Sequence, residues 1–320
     1  MADKPSRGLV LYGDGLAPAI GPSHSHLHSL ASKACCGFLS LPHSPPSETE
    51  EERIVREFSL LVDAREAYAD TGKENAAGSA DIVIPTISER FMGLKAATVT
   101  SNSKLSSFVE KLGFTVLPYD QLKEACHDLD QEPTLDAVCS NLLNLLGIQG
   151  GKVSATSPFD LIFIHIGAGE CAGGIEEEVR ASGPEYVNSL VGHIMHLAQP
   201  GSEISSRLHL SLVMSYGDIS ARDSLQYSVL SSKDGWNSDL SRLYHPRQSY
   251  TMRGEIPRED VRHHFPMLVA QWQEAVTRRD MAEIFSFEDF KERGGNLVIP
   301  ADRMLHEIAF KLWKAPKYGA

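Results

Sequence analysis

The chain has 320 residues, 42% hydrophobic and 22% charged, an ordinary balance for a globular protein able to bury one large α/β core or two smaller ones. A net charge of −12 and a pI near 5.5 argue against nucleic-acid binding through a broad basic face. Cys35, Cys36, Cys126, Cys139 and Cys171 form neither a CxxC zinc pair nor an even disulfide framework, and no apolar leader or run of about 18 apolar residues is visible. A reducing compartment, cytoplasmic or nuclear, is therefore expected, with no membrane association.

Leu9 to Tyr12 is an apolar run between glycines and predicts a buried strand that ends in Gly13-Asp14-Gly15. Leu27, Leu30, Ala31 and Ala34 then recur at helical spacing, with Gly37 suited to the helix end and 41–47 (LPHSPPS) a loop. The next helix is capped by Ser47 or Thr49, carries Glu48 and Glu50 to Glu52 at its positive end, and buries Ile54, Val55, Phe58, Leu61 and Val62. Residues 71–80 (TGKENAAGSA) predict a surface loop, and 81–88 (DIVIPTIS) suit a strand or an extended connection.

Strand, helix, strand and helix follow over 95–100, 103–112, 114–117 and 119–129, a spacing that predicts a parallel sheet flanked by helices. A helix over 135–146, a Gly/Ser-rich loop, a strong buried strand over 160–167, a helix over 186–197 and a strand over 208–214 continue the series. Residues 217–252 are polar and give no clear element. Val261–Thr277 and Arg303–Trp313 predict the last helices.

Familiar catalytic motifs fail. The Gly-Lys of GIQGGKVS lies one residue too close to its first glycine for a P-loop, and no GxGxxG, GxSxG or HExxH occurs. His24, His26 and His28 would share a face only on a strand, and the helix starting near Leu27 breaks that geometry, so loop histidines are the simpler explanation. What remains is a set of strand ends: Asp14, then His165 and Glu170, then Ser215 to Asp218. In a parallel sheet such ends converge on one edge, where ligands bind; the plain alternative is that these residues only build turns.

Several segments, taken in order, resemble the alkaline phosphatase superfamily, in particular the cofactor-independent phosphoglycerate mutases. They are LVLYGDGLA, HSHLHSLASKACCGFL, ISERFMGLKAATVTSNSKLSSFVEKLGFTVL, DLIFIHIGAGECAGG, EYVNSLVGHIMHLAQ and LHLSLVMSYG, together spanning 8–218. The resemblance implies an alkaline-phosphatase-like α/β fold, with a largely parallel central sheet and helices on both faces. It implies one domain over 7–320, irregular over 219–260, with C-terminal helices over 261–320 packing on it.

Working members of that family hold two divalent metals with Asp and His ligands and use a Ser or Thr nucleophile. Carried over, Asp14 keeps a ligand position, and Glu170 replaces a shorter acid. Gly174, Ser215 and Tyr216 stand where ligands would be, and His24, flanked by Ser23 and Ser25, stands at the nucleophile position. Losing three ligands, where even supporting residues are worth about 10–100-fold in metal affinity, predicts a non-catalytic binding or scaffold protein that works in a protein complex without a cofactor.

The alternative is a metal-dependent phosphohydrolase or phosphomutase with a rearranged site. It would hold one divalent metal (Mn, Mg or Zn) on Asp14, Glu170 and Asp218 and draw its nucleophile from Ser23, Ser25 or His24. His165, Arg247 and Arg253 are candidates for binding a phosphorylated small molecule. The Arg/His-rich stretch 242–264 is expected to be a solvated, salt-bridged surface, since the protein is acidic overall.

Overall fold

The computed structural model describes residues 5–71, 85–124, 135–167, 183–219, 227–229, 252–253, 256–257, 260–295 and 298–316. Eight strands form one sheet: β1 (Arg7–Asp14), β2 (Cys35–Pro42), β3 (Ala96–Val99), β4 (Thr115–Leu117), β5 (Leu161–Gly167), β6 (Leu208–Met214), β7 (Val261–Trp272) and β8 (Val298–Pro300). Their order is β8-β2-β7-β6-β1-β5-β3-β4, and only β7 runs against its neighbours. The expected α/β fold with a mostly parallel sheet is what forms.

Side-chain alternation divides the core in two. Leu9 and Leu11 of β1, with Ile162, Ile164 and Ile166 of β5, face α1 (Ser25–Ala31), α4 (Leu135–Leu145), α5 (Gly183–Leu197) and α6 (Phe287–Arg293). Val10 and Tyr12, with Leu161 and Phe163, face α2 (Glu50–Leu61), α3 (Ser103–Lys111) and α7 (Met304–Lys311). Because both faces are covered, the strands read as continuous apolar runs.

Helix α2 is the element that matters for the site. Thr49 caps it, and a reciprocal capping box joins the Thr49 side chain to Glu52. Its expected stripe, Ile54, Val55, Phe58, Leu61 and Val62, is buried throughout. Phe58 meets Phe163 at 5.4 Å and Phe114 at 6.5 Å, both edge-on. That anchor fixes α2 against the sheet and sets the positions of residues one turn earlier.

Two expected helices are corrected. α1 stops at Ala31, and Cys35–Pro42 is a buried strand, so Gly37 lies within β2 rather than at a helix end. Phe38 packs on one face while Leu39 and Leu41 pack on the other, a two-sided burial that overrides the helical spacing. Val261–Trp272 is likewise a strand, seated between β2 and β6 in the middle of the sheet. Pro266, which cannot donate to a ladder, falls in the register break between Arg262 and Met267, beside Phe265 at φ 48°. The region 261–320 therefore contributes two sheet strands as well as α6 and α7.

Most of the remaining elements sit close to their expected bounds. The segment expected as a strand or extended connection over 81–88 instead runs into a short helix, Ile87–Arg90, capped by Thr86, with 81–84 outside the described residues. Of the helix expected over 119–129, only 119–124 is described. Within 148–153 a two-residue hairpin pairs Ile148–Gln149 with Lys152–Val153. Residues 72–80 of the expected surface loop and the polar stretch 230–251 lie outside the described residues. No described helix is long and apolar enough to cross a membrane.

Candidate functional site

The carboxyl ends of β1, β2, β3, β5 and β6 share one edge of the sheet, and β7 starts there. Asp14 closes β1 at this edge, on the same face as Tyr12 two residues earlier. The parallel register sets Tyr12 opposite His165 of β5 and Asp14 opposite Gly167. Thr100 follows β3, and its hydroxyl lies 3.1 Å from His165 Nδ1. Ser215 follows β6.

Asp14 is 2% exposed, and its carboxylate is fully engaged by this chain. Arg53, from the first turns of α2, grips it with both Nη atoms: Nη1 to Oδ1 at 2.8 Å and Nη2 to Oδ2 at 2.9 Å. This two-pronged fork is the strongest geometry a carboxylate can find among side chains. Ser215 Oγ donates to Oδ1 at 2.9 Å, Tyr12 Oη lies 3.3 Å from the same oxygen, and His165 Nε2 stands 3.6 Å from Oδ2.

Arg53 also donates to Glu57 at 3.0 Å, one turn on, and through Nε and Nη2 to Glu50 at 2.8 and 2.6 Å. Tyr12 Oη is 3.2 Å from Glu57, so its single proton is shared between two carboxylates.

The electrostatics follow from this enclosure. Burial alone would raise the Asp14 carboxyl, but His165 and Arg53 outweigh it and hold the group far below the ordinary carboxylate range. Glu57 shows the opposite balance: its burial dominates over Arg53 and Arg262, and its pKa rises. Tyr12 is pushed well above the usual phenol by burial and by both carboxylates, so it remains an O–H donor. Burial works against the charge on Arg53, yet Glu50, Asp14 and Glu57 prevail, and the guanidinium stays charged.

The turn after β1 wraps around Ser215. Its Oγ accepts from the Gly15 N–H at 2.9 Å, and its own N–H donates to the Gly13 carbonyl at 3.0 Å. Gly15 and Gly217 both have left-handed backbones, and a Cβ on Gly217 would stand 3.1 Å from Gly15 Cα, so this crossing requires glycine.

The other expected site residues fall elsewhere. Ser23 and Ser25 are exposed, while His24 is buried at the N-cap of α1. His24 Nδ1 bonds the Gly21 backbone at 2.8 and 3.0 Å, and Nε2 lies 3.3 Å from Glu185. His28 reaches Gly21 and the Phe285 N–H, and the His26 ring packs where a Gly192 side chain would be. His24 and His28 thus meet at the Gly21 carbonyl, while His26 packs apart from them at Gly192.

Asp218 is exposed beyond Gly217. Arg253 lies in the two-residue strand Met252–Arg253, outside the main sheet, and Glu170, Gly174 and Arg247 lie outside the described residues. Among the described residues no three His, Cys, Asp or Glu side chains are grouped to hold a metal. The donors around Asp14 do not fit one: a guanidinium occupies both of its oxygens.

The structure also corrects the expected surface stretch. Arg262 is buried, donating to the His264 and Phe265 carbonyls at 3.1 and 2.8 Å. Arg53, Glu57 and Tyr12 were not expected at the site. The signal for Arg53 and Glu57 is charge on the buried side of α2, spaced i, i+4 beside Ile54 and Phe58.

No family profile and no curated protein matches this sequence. Among solved structures the PH0037 protein from Pyrococcus horikoshii superposes with a TM-score of 0.55 at 11% identity, covering 99% of each chain, which establishes a shared fold. Lower similarities are found to the cofactor-independent phosphoglycerate mutase from Thermoplasma acidophilum (TM-score 0.45, 9% identity, 95% of this chain and 98% of that chain). A protein in the alkaline phosphatase superfamily from Vibrio parahaemolyticus gives 0.46 at 10% identity, over 99% of this chain and 69% of that one.

Proposed function

We propose that this chain is a non-catalytic binding or scaffold protein built on an alkaline-phosphatase and phosphoglycerate-mutase-like fold, working in a protein complex and without a cofactor. The observation that carries the proposal is the Arg53–Asp14 fork. Asp14 stands at the position where the resembled enzymes place a metal ligand, and here the countercharge comes from α2. Freeing Asp14 for a metal means breaking a buried ion pair at about 3–5 kcal/mol, a penalty of roughly 10² to 10³ or more in metal affinity. The liberated arginine would in addition repel the incoming cation.

The second possibility, a metal-dependent phosphohydrolase or phosphomutase, is favoured only by His165 standing beside Asp14 at the strand ends. Its ligand would be a phosphorylated small molecule. Hydrolysis of p-nitrophenyl phosphate with Mn²⁺, Mg²⁺ or Zn²⁺ separates the two. The non-catalytic function predicts turnover no greater than that of Asp14→Ala, whereas metal-dependent turnover abolished by Asp14→Ala would overturn it.

A further inference from the structure

Residues 43–47, His-Ser-Pro-Pro-Ser, leave β2 as an exposed turn on the way to α2. Two guanidinium groups converge on one hydroxyl in this turn: Arg56 Nη2 lies 3.1 Å and Arg262 Nη1 3.3 Å from Ser44 Oγ. Arg56 comes from α2 and Arg262 from the start of β7, and both are at least nine-tenths buried.

A neutral hydroxyl is a weak counterpart for two cations. Among the described residues no carboxylate forms an ion pair with Arg262, whose other donors meet backbone carbonyls. Burial, opposed in part by Glu57 and reinforced by Arg56 and Arg53, pulls its pKa below that of an ordinary arginine. Arg56 gives Nε and Nη2 to Glu48, but its Nη1 is buried with no hydrogen-bond partner. Glu48 and Glu57 stand against Arg56, whereas among the described residues Arg262 has no carboxylate in direct contact, and one donor of each guanidinium already reaches Ser44.

We propose that Ser44 is a phosphorylation site whose phosphate is held by Arg56 and Arg262. Ser44 is followed by Pro45, the dipeptide that a proline-directed serine/threonine kinase reads, and the turn is exposed. In the transfer Ser44 Oγ attacks the γ-phosphorus of ATP. The new O–P bond forms as the bond to the β-phosphate oxygen breaks, ADP leaves, and the hydroxyl proton passes to the kinase's base.

The product adds a charge of about −1.5 to −2 and three acceptor oxygens. Arg262 Nη1 and the unused Nη1 of Arg56 accommodate them, while Glu48 keeps Arg56 Nε. The modified turn is thereby tied to both β7 and α2, the helix that carries Arg53 over Asp14. Ser47, in the same turn, is the natural control.

The test treats the purified protein with a proline-directed kinase and ATP, locates the phosphate by mass spectrometry, and follows phosphorus NMR and thermal unfolding against a phosphopeptide of residues 40–50. The expected result is phosphate on Ser44 with a second ionisation well below the ordinary value of about 6, and a Tm raised by roughly 2–4 °C. Both effects should shrink in Arg262→Gln. Should that variant fail to fold, the NMR comparison of parent protein and phosphopeptide still decides. Transfer to the peptide but not to Ser44 in the protein, or a phosphate that titrates as in the peptide with an unchanged Tm, would overturn the proposal.

Discussion

Arg53→Met retains most of the side chain's length and packing while removing its charge. The substitution deletes two bonds to Asp14, one to Glu57 and two to Glu50. The Glu50 side chain is 59% exposed, so solvent replaces those bonds at little cost. Asp14 and Glu57, 2% and 1% exposed, have no such recourse.

Removing one partner of a buried ion pair costs about 3–5 kcal/mol, which for a chain of this size lowers Tm by on the order of 10 °C. Urea unfolding reads the loss as a lower midpoint with an unchanged slope. With the guanidinium gone, His165 alone opposes burial and the Asp14 pKa rises from its depressed position, so the stability that the parent loses on acidification below about pH 4 should be smaller in the variant. Asp14→Asn in the Arg53→Met background should recover part of the loss, with a coupling energy of about 2 kcal/mol. A single variant within about 1 kcal/mol of the parent would refute the assignment of Arg53 as the essential countercharge.

Two further outcomes rest on the fold. His209 is fully buried, beside Ser211 Oγ at 3.1 Å, and burial, assisted by Lys311, holds its pKa well below 6.5. The unfolded chain therefore binds a proton that the folded chain refuses. The His209 contribution should be flat above the unfolded pKa and decline by up to about 1.4 kcal/mol per pH unit below about pH 6.5, a slope that His209→Gln removes. Asp14, whose folded pKa is depressed, adds a second loss that begins below about pH 4. Thr49→Ala, which dismantles the capping box of α2, should cost about 1 kcal/mol in thermal or urea unfolding.

Much of the sheet was legible because buried parallel strands leave an unmistakable trace. Residues 160–167 and 208–214 are apolar runs too short for helices, and 95–117 alternates strand and helix with glycine at the boundary. The strand Val261–Trp272 was misread because Val261, Phe265, Leu268 and Trp272 also satisfy helical spacing. What excludes a helix there is Pro266 together with a partner on each side, and partners are tertiary information.

Asp14 could be found as the acid that ends a buried strand. Its occupant could not, since Arg53 is 39 residues away and a charge on a helix reads as solvated by default. The clue was local: Arg53 and Glu57 sit beside the apolar stripe of α2, where solvated charge has no place. Ser215 was legible as a polar residue just past a buried strand, but its role as a donor to Asp14 depends on the glycine crossing at Gly15 and Gly217.

The most direct measurement is the metal content of the purified protein after equilibration with Mn²⁺ and Zn²⁺ and removal of unbound ions. With Arg53 seated on Asp14, far less than one metal per chain is expected, and Asp14→Ala should make no difference. One or two equivalents of tightly held metal, lost in Asp14→Ala, would contradict the proposed non-catalytic function.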